Sequence, residues 1–471
     1  GVDTRLQLVN GGGNIEALSA RVLRYVKALN MIGGETRGVG AQPVAVTFVT
    51  TTSPDHQVPS EPLGVDSLMG QLRNRFGSEV DTSLIDTQRG VTPEEVVRRL
   101  RRTQPQVICL SAQLESDRRL FAILDLLRKE PWYRRKKPHV FIGGNLVTND
   151  AARILNKYPD AVCVKGEGER AIVEIMRYVR GESTLRDIPA AAFVEEGMII
   201  QNPGAKVDLK QVALPARDVL YEMIKNGDDI WVETSRGCGW GVCSFCFKDP
   251  FRAHEWEPYD DDTVISMFEE LYRAGARQVS LSDPEFFGGG KRTEEGLDRA
   301  LRLAPRLKKL AEKYGYTINV AFSTRADTVY RDYEPDERDL LDLRRQQLTL
   351  EIDCPDAHER LERDRKITAL IAGKERIIAE KKAFNEKSRQ AFLALREGGF
   401  INAFLGTESG SGPQLKRFRK GVTVAENERA IHLLREYGYR ICSGYIILDP
   451  LATVDDILEN TDFVVRNDSF V

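Results

Sequence analysis

The chain has 471 residues, room for about three domains, or two larger ones, at roughly 150 residues each. Lys and Arg number 68 against 71 Asp and Glu, a net charge of −3, which argues against a generally basic nucleic-acid binder. No apolar run approaches the roughly 18 residues that a membrane span needs, and seven cysteines in this length do not make a disulfide framework. No signal peptide is visible at the N-terminus. The expectation is a reduced, cytoplasmic protein with neither a membrane nor a nucleic acid as partner.

Residues 1–41 form an N-terminal extension with Gly11-Gly12-Gly13 and a helix-like stretch at Ala17–Leu29. From residue 42 strands and helices alternate. Val44–Val49 is short, apolar and β-branched, as a buried parallel strand should be. Helical periodicity follows over 64–76. Strands are expected at Val80–Ile85, Val107–Leu110, His139–Ile142 and Ala161–Val164. Helices are expected at Pro93–Arg102, with Thr92 as N-cap, then at Leu114–Lys129, at Asn149–Lys157 and ending near Arg180. Five such units predict a doubly wound, flavodoxin-like parallel sheet over 42–185.

Sheets of this kind bind ligands at the carboxyl ends of their strands. The sequence places small and polar residues there: Thr51-Thr52-Ser53, Ser111-Ala112-Gln113, Gly143-Gly144-Asn145 and Gly166-Glu167-Gly168. Glycine allows a flat or bulky ligand close to the backbone, although the same residues also make ordinary tight turns.

Residues 186–225 read as a hairpin turning at Glu196-Gly197, then a linker. A second alternating series fills 226–471. Its strands are expected at Ile230–Thr234, Gln278–Leu281, Thr317–Phe322, Phe400–Leu405 and Arg440–Leu448, with Ser469–Val471 beginning a sixth. Its helices are expected at Asp262–Ala274, Leu301–Tyr314, Ser388–Glu397, Ala425–Tyr437 and Thr453–Val465. Such a series closes naturally as a partial (β/α)6 barrel with its site at the strand carboxyl ends. The charged stretch 336–387 reads as a helical hairpin, or one long helix, inserted into that barrel.

Three cysteines cluster just after the first strand of this series, as Cys238-x4-Cys243-x2-Cys246. Two metal readings compete. Zinc would need a closed fourth ligand, and His254 is the nearby candidate. A [4Fe–4S] cluster held by three thiolates would keep one iron open to a substrate or cofactor.

The loop Arg236–Cys246 resembles that of the radical S-adenosylmethionine (SAM) enzymes, whose usual spacing is Cys-x3-Cys-x-aromatic-Cys. Here Phe245 supplies the aromatic, and one extra residue separates the first two cysteines. Further matches follow in order: Ser323-Thr324-Arg325-Ala326-Asp327, Gly406-Thr407-Glu408-Ser409-Gly410-Ser411 and Leu415-Lys416-Arg417-x2-Lys420-Gly421. Ahead of the loop, the five-stranded domain with Gly143-Gly144 and Lys165-Gly166-Glu167-Gly168-Glu169 resembles the cobalamin-binding domain of the B12-dependent subfamily, without its Asp-x-His-x-x-Gly motif.

The resemblance implies that Cys238, Cys243 and Cys246 hold the cluster and that SAM is cleaved reductively to a 5′-deoxyadenosyl radical. It sets Phe245 near the adenine and Asp283 or Glu285 near the SAM ammonium. Ser323 and Arg325 would meet the carboxylate, Glu408 and Ser409 the ribose or amino acid, and Tyr445 and Ile446 the adenine. Thr51, Thr52, Ser53, Ser111, Ala112, Gln113, Gly143, Gly144, Asn145, Glu167 and Gly168 would cradle cobalamin. The implied reaction is cobalamin-dependent methyl transfer to an unactivated carbon of a small metabolite or natural-product intermediate. An electron donor such as flavodoxin or ferredoxin is its implied partner. A radical enzyme that rearranges or cyclises without methylating, and a zinc-stapled cobalamin carrier without catalysis, are the alternatives.

Overall fold

The computed structural model describes residues 42–52, 59–204, 206–246, 252, 254–354 and 356–468. The helix expected at Ala17–Leu29, Ser53, and the strand start expected at Ser469–Val471 lie outside the described residues. Among the described residues no helix is long and apolar enough to cross a membrane.

The first sheet contains β1 (Val44–Thr50), β2 (Val80–Ile85), β3 (Val107–Ser111), β4 (His139–Gly143) and β5 (Val162–Val164). These strands are parallel in the order β2-β1-β3-β4-β5. The chain therefore changes direction between β1 and β3, the switch point where such sheets bind ligands. Alternate residues of β1 feed separate cores: Val46 and Phe48 pack on one face, Val49 on the other. Fully burying side chains of this size contributes about 1.5–3 kcal/mol each. Helices α1 (Leu63–Phe76), α2 (Pro93–Thr103), α3 (Asp117–Leu127), α4 (Pro131–Lys136), α5 (Asn145–Lys157) and α6 (Glu169–Val179) accompany the sheet. Thr92 caps α2 as expected, its hydroxyl accepting from Glu95 N at 3.3 Å.

Two details depart from the sequence reading. Helix α5 starts at Asn145 rather than Asn149, and is broken at Asp150 (φ −144°, ψ 57°), whose carboxylate accepts from Arg153 N at 3.1 Å. The expected start was thus the second piece of a kinked helix. The hairpin β6 (Ala191–Glu195) and β7 (Met198–Gln201) is not detached; it extends the sheet antiparallel to β5. Its turn, Glu196-Gly197, has φ of 51° and 79°, the left-handed pair that suits a two-residue hairpin.

After α7 (Leu220–Asn226), the second sheet assembles from β8 (Trp231–Val232), β11 (Gln278–Leu281), β12 (Asn319–Arg325), β13 (Phe400–Glu408) and β14 (Arg440–Tyr445). All five are parallel, in the order β14-β13-β12-β11-β8. Strand β8 is only two residues long, and side chains take up its outer backbone groups. Trp231 N donates to Glu61 at 3.0 Å, and Arg217 donates to Trp231 O at 2.9 Å. A small antiparallel pair, β9 (Ser235–Gly237) with β10 (Trp256–Pro258), clamps the base of the cysteine loop.

Helices α8 (Asp261–Ala274), α9 (Thr293–Tyr314), α10 (Ala326–Val329), α13 (Gly412–Arg417), α14 (Val424–Glu436) and α15 (Val454–Asn467) accompany this sheet. Helix α9 begins eight residues before its expected start at Leu301. Its buried face includes Arg299, which donates to Thr234 O at 2.7 Å, so a charge interrupts the apolar pattern. The insert is a helical hairpin, α11 (Glu334–Asp353) and α12 (Ala357–Glu397). Helix α12 runs on through the separately expected helix Ser388–Glu397, burying Phe384, Ala391, Phe392 and Leu395 in the barrel core.

Candidate functional site

The carboxyl ends of both sheets open on one cavity of about 490 Å³, within the range of small-molecule sites. From the first sheet it is lined by Ser111, Gly143, Gly144, Asn145, Glu167 and Gly168, together with Phe48 and Leu110 at the switch point. From the second it receives Cys238, Cys243, Cys246 and His254. Residues expected in two separate domains thus line one cavity.

The other expected residues of the first sheet stand behind that lining. Thr51 is buried, its hydroxyl 3.0 Å from Ser111 O and 2.9 Å from Ser116 Oγ. Thr52 is half-buried outside the lining. Ala112 donates to Gly143 O at 2.8 Å, tying β3 to β4. Gln113 is exposed and accepts a long 3.5 Å contact from Asn145. Gly144 has φ +98°, and a Cβ there would lie 2.4 Å from Ala112 O, so no larger residue fits this strand end.

A chain of buried charges crosses the cavity floor. Arg236 on β9 pairs with Glu167 at 3.2 Å, Glu169 at 2.5 Å and Glu233 at 2.8 Å. Arg252 also pairs with Glu167 and, at 2.8 Å, with Glu257. Burial pushes the Glu169 carboxyl up, but the Arg236 charge overrides it and holds that carboxyl below its ordinary value. Burial wins at Glu233, which is raised against the same cation. Glu167 therefore joins the first sheet to the base of the cysteine loop as well as lining the cavity.

The loop itself is built on glycine contacts. Gly239 N donates to Gly288 O at 2.6 Å, and a Cβ on Gly239 would meet Gly289 O at the same distance. Its outer side is tied to the segment after β13: Trp240 Nε1 donates to Arg419 O at 2.9 Å and Ser244 N to Phe418 O at 2.9 Å. Phe245 is exposed and packs edge-on against Phe418, centroids 5.2 Å apart. The Cys238 thiol is pushed up by burial and by the nearby Glu285 charge.

Of the second-sheet residues, Glu285 and Arg325 converge with Cys238. A Cβ on Gly289 (φ +69°) would stand 3.3 Å from Glu285 Cγ, 3.4 Å from Arg325 Cδ and 3.5 Å from Cys238 Sγ. Burial raises the Glu285 carboxyl to about 8, with Arg325 opposing the shift. Arg325 forks onto Asp327 at 2.8 and 3.1 Å, donates to Lys420 O at 2.7 Å and lies 4.8 Å over the Trp240 ring. Ser323 uses its carbonyl to accept from Phe286 N at 3.2 Å.

The remaining residues are engaged elsewhere. Asp283 accepts from Thr234 N and Oγ1 at 2.7 and 2.5 Å and from Ser235 Oγ at 2.6 Å, so it ties β11 to β8 and β9. Glu408 pairs with Lys420 at 2.9 Å. Ser409 is buried among Gln414 (2.6 Å) and Asn460 (2.8 Å). Tyr445 accepts from Gly410 N at 2.8 Å and stacks on Phe463. Ile446 N donates to Glu408 O at 2.7 Å.

Sequence reasoning overlooked Gly288-Gly289-Gly290, Arg236, Arg252 and Lys420 as parts of this site. Three successive glycines after a strand end were a visible signal. The arginines carried none, because their partners are far away in the chain.

Three cysteines in the lining of one cavity are a donor set that a [4Fe–4S] cluster can use, with one iron left open. Thiolates of a cubane each bind a different iron, so they surround a cluster-sized space rather than a point. Gly143, Gly144, Gly166 and Gly168, at the ends of β4 and β5, bring backbone into part of the cavity lining, which suits the close approach of a flat ring.

Residues 57–176 match a domain family described as B12 binding domain. The chain is 26% identical over 422 residues to 4′-phospho-dehydrooxetanocin synthase of Priestia megaterium, covering 88% of this chain and 50% of that protein. It is 21% identical over 416 residues to an uncharacterised methyltransferase of Pyrococcus horikoshii, covering 86% and 73%. Among solved structures, the cobalamin-dependent SAM radical enzyme OxsB with aqua-cobalamin bound superposes with a TM-score of 0.74 at 24% identity, covering 91% of this chain and 53% of that one. The radical SAM methyltransferase TsrM of Kitasatospora setae, with tryptophan and a SAM analogue bound, gives a TM-score of 0.65 at 14% identity, covering 91% and 72%. The chain spans about half the length of the first of these curated relatives. It carries a B12-binding domain and has the two-sheet fold of the cobalamin-dependent radical SAM enzymes.

Proposed function

We propose that the chain is a cobalamin-dependent radical SAM enzyme that transfers a methyl group to an unactivated carbon of a small molecule. The observation that carries this reading is the shared cavity, with three cysteines on one wall and the glycine edge of the B12-binding sheet on the other. In this reading 42–185 holds cobalamin, 226–471 holds SAM, and 186–225 joins them. A three-cysteine cluster with an open iron supplies one electron to the SAM sulfonium, and cobalamin supplies the methyl carrier.

The protein's own residues bind and orient. Cys238, Cys243 and Cys246 hold the cluster. Arg325 and Glu285 stand beside Cys238, where the carboxylate and ammonium of SAM would lie: Arg325 as a fixed cation, and Glu285 as a raised carboxyl that an arriving ammonium would draw into its ionised form, in a buried place where such contacts are strong. Asp327 and the Lys420 carbonyl fix the guanidinium in advance, so little ordering remains on binding. Ser111, Gly143, Gly144, Asn145, Glu167 and Gly168 border the space for the corrin. The Arg236 and Arg252 pairs with Glu167 hold the two walls at a set separation and keep water out of the floor. Asp283, Ser409 and Tyr445 support this site through their partners.

A second reading has one observation in its favour: the relative at 26% identity is named a synthase, not a methyltransferase. In that reading the same radical chemistry ends in rearrangement or cyclisation. The deciding experiment is anaerobic reconstitution with iron, zinc and cobalt counted on one sample, followed by incubation with methyl-labelled SAM. About four irons and one cobalt per chain, with 5′-deoxyadenosine and label in a product, support methylation. The same metal content with 5′-deoxyadenosine but no transferred label supports the second reading. Zinc without iron rejects both.

A further inference from the structure

The cysteine loop has two sides. Cys238, Gly241, Cys243 and Cys246 face the large cavity, whereas Trp240 and Val242 face a separate groove of about 420 Å³ on the other side. Its floor includes Trp240, Leu415 and Val422, and its rim carries Lys416 and Arg419 with no carboxylate in the lining. Both rim cations are exposed and without an ion-pair partner among the described residues. Their neighbours differ: Arg417 is neutralised by Asp449 and Asp456, and Lys420 by Glu408.

We propose that this groove docks a small acidic electron-transfer protein that reduces the cluster through the back of the loop; this rests on the radical SAM reading above. Three features point to that occupant. The groove lies outside the cavity in which SAM and substrate meet, so a donor seated there blocks neither. Trp240 is two residues from Cys238, and Val242 adjoins Cys243, so a docked redox group stands one loop thickness from the thiolates. An apolar floor with an unneutralised basic rim complements a surface that carries carboxylates around an exposed prosthetic group, and such charge matching steers encounter. The step moves one electron: the donor's flavin or iron–sulfur group is oxidised, the cluster is reduced, and no bond is made or broken.

The test is the double variant Lys416→Glu, Arg419→Glu in cluster-loaded protein, with flavodoxin and a plant-type ferredoxin as probes. Binding is measured calorimetrically at low and high salt, and SAM cleavage with either carrier or dithionite as reductant. The expected result is wild-type binding that weakens with salt, an at least tenfold loss of binding and carrier-driven cleavage in the variant, and dithionite-driven cleavage within about twofold of wild type. Equal binding by variant and wild type, or wild-type binding to neither carrier, overturns the proposal. Wild-type protein that binds a carrier but cleaves no SAM with dithionite overturns the functional reading and leaves the docking surface standing.

Discussion

The two parallel sheets carry different chemistry at their strand ends. The first sheet brings small groups at its strand ends, such as Ser111, Gly143, Gly144 and Gly168, set among apolar side chains such as Phe48, Leu110, Phe141 and Ile142. The second gathers charge behind the cysteine loop, with Glu285 and Arg325 near Cys238, Arg325 on Asp327 and on the Lys420 carbonyl, and Lys420 on Glu408. A large, flat ligand needs room and close backbone approach, which side chains would obstruct. A small zwitterion needs charges set in place before it arrives, which burial makes strong. In the proposed reading, one architecture serves two cofactors through what stands at the carboxyl ends.

The sharpest way to break this contrast is at the cysteines. Replacing Cys238, Cys243 or Cys246 by alanine is expected to lower 5′-deoxyadenosine formation by about a thousandfold or more, with iron content falling and cobalt retention unchanged. Loss of cobalt as well would mean that the loop also shapes the corrin wall.

Arg325→Ala comes next. It leaves Glu285 and Asp327 without their cation, and removing one partner of a buried pair typically costs about 3–5 kcal/mol. Urea unfolding should show that loss. Arg325→Lys should restore most of the stability while SAM binding, read by equilibrium dialysis, stays about tenfold weaker, because an ammonium cannot form the fork. Full recovery of SAM affinity by Lys would argue that Arg325 serves only as a point charge.

Where the two sheets adjoin, Glu61, Asp66 and Arg217 are buried together. Burial and the Glu61 charge raise the Asp66 carboxyl to about 7, against Arg217. A raised acid stabilises the folded state most below its unfolded value near 4, and that contribution is lost as pH climbs through about 7. Asp66→Asn should therefore flatten the fall in stability between about pH 4 and pH 7, by at most about 4 kcal/mol. Parallel pH profiles for wild type and variant in thermal melts would remove Asp66 from this account.

Gly144→Ala probes the first sheet. With a left-handed backbone and Ala112 O in the way, it should cost about 1–3 kcal/mol and reduce cobalt retention, leaving iron content intact. The smallest effect is expected from trimming the hairpin tip over residues 340–376. The ion pairs there are exposed ones, such as Arg344–Glu375 at 2.7 Å, each worth about 0–1 kcal/mol. SAM cleavage should stay within about twofold, while product formation falls if the tip covers the substrate. Unchanged product formation would exclude that covering role.

Strands and helices were legible wherever one period held along the element. The strand Gln278–Leu281 and the helix cap Thr92 were readable because apolar spacing and capping are local properties. Legibility failed where a distant residue intervened. Arg299 interrupts the apolar face of α9 because its partner Thr234 lies on the neighbouring strand's end. Strand β8 ends early, and the outer backbone groups of Trp231 are taken by Arg217, 14 residues away, and by Glu61, 170 residues away.

The amino-acid order alone specified the alternating elements, the cysteine spacing and the small residues at strand ends, because each depends on neighbours a few positions apart. Folding was needed to place Glu167 between two arginines 69 and 85 residues away, to turn Asp283 and Ser409 toward internal partners, and to bring Cys238, Glu285 and Arg325 together around Gly289. Ion pairs and close backbone contacts of that kind depend on distance in space, which sequence separation does not encode.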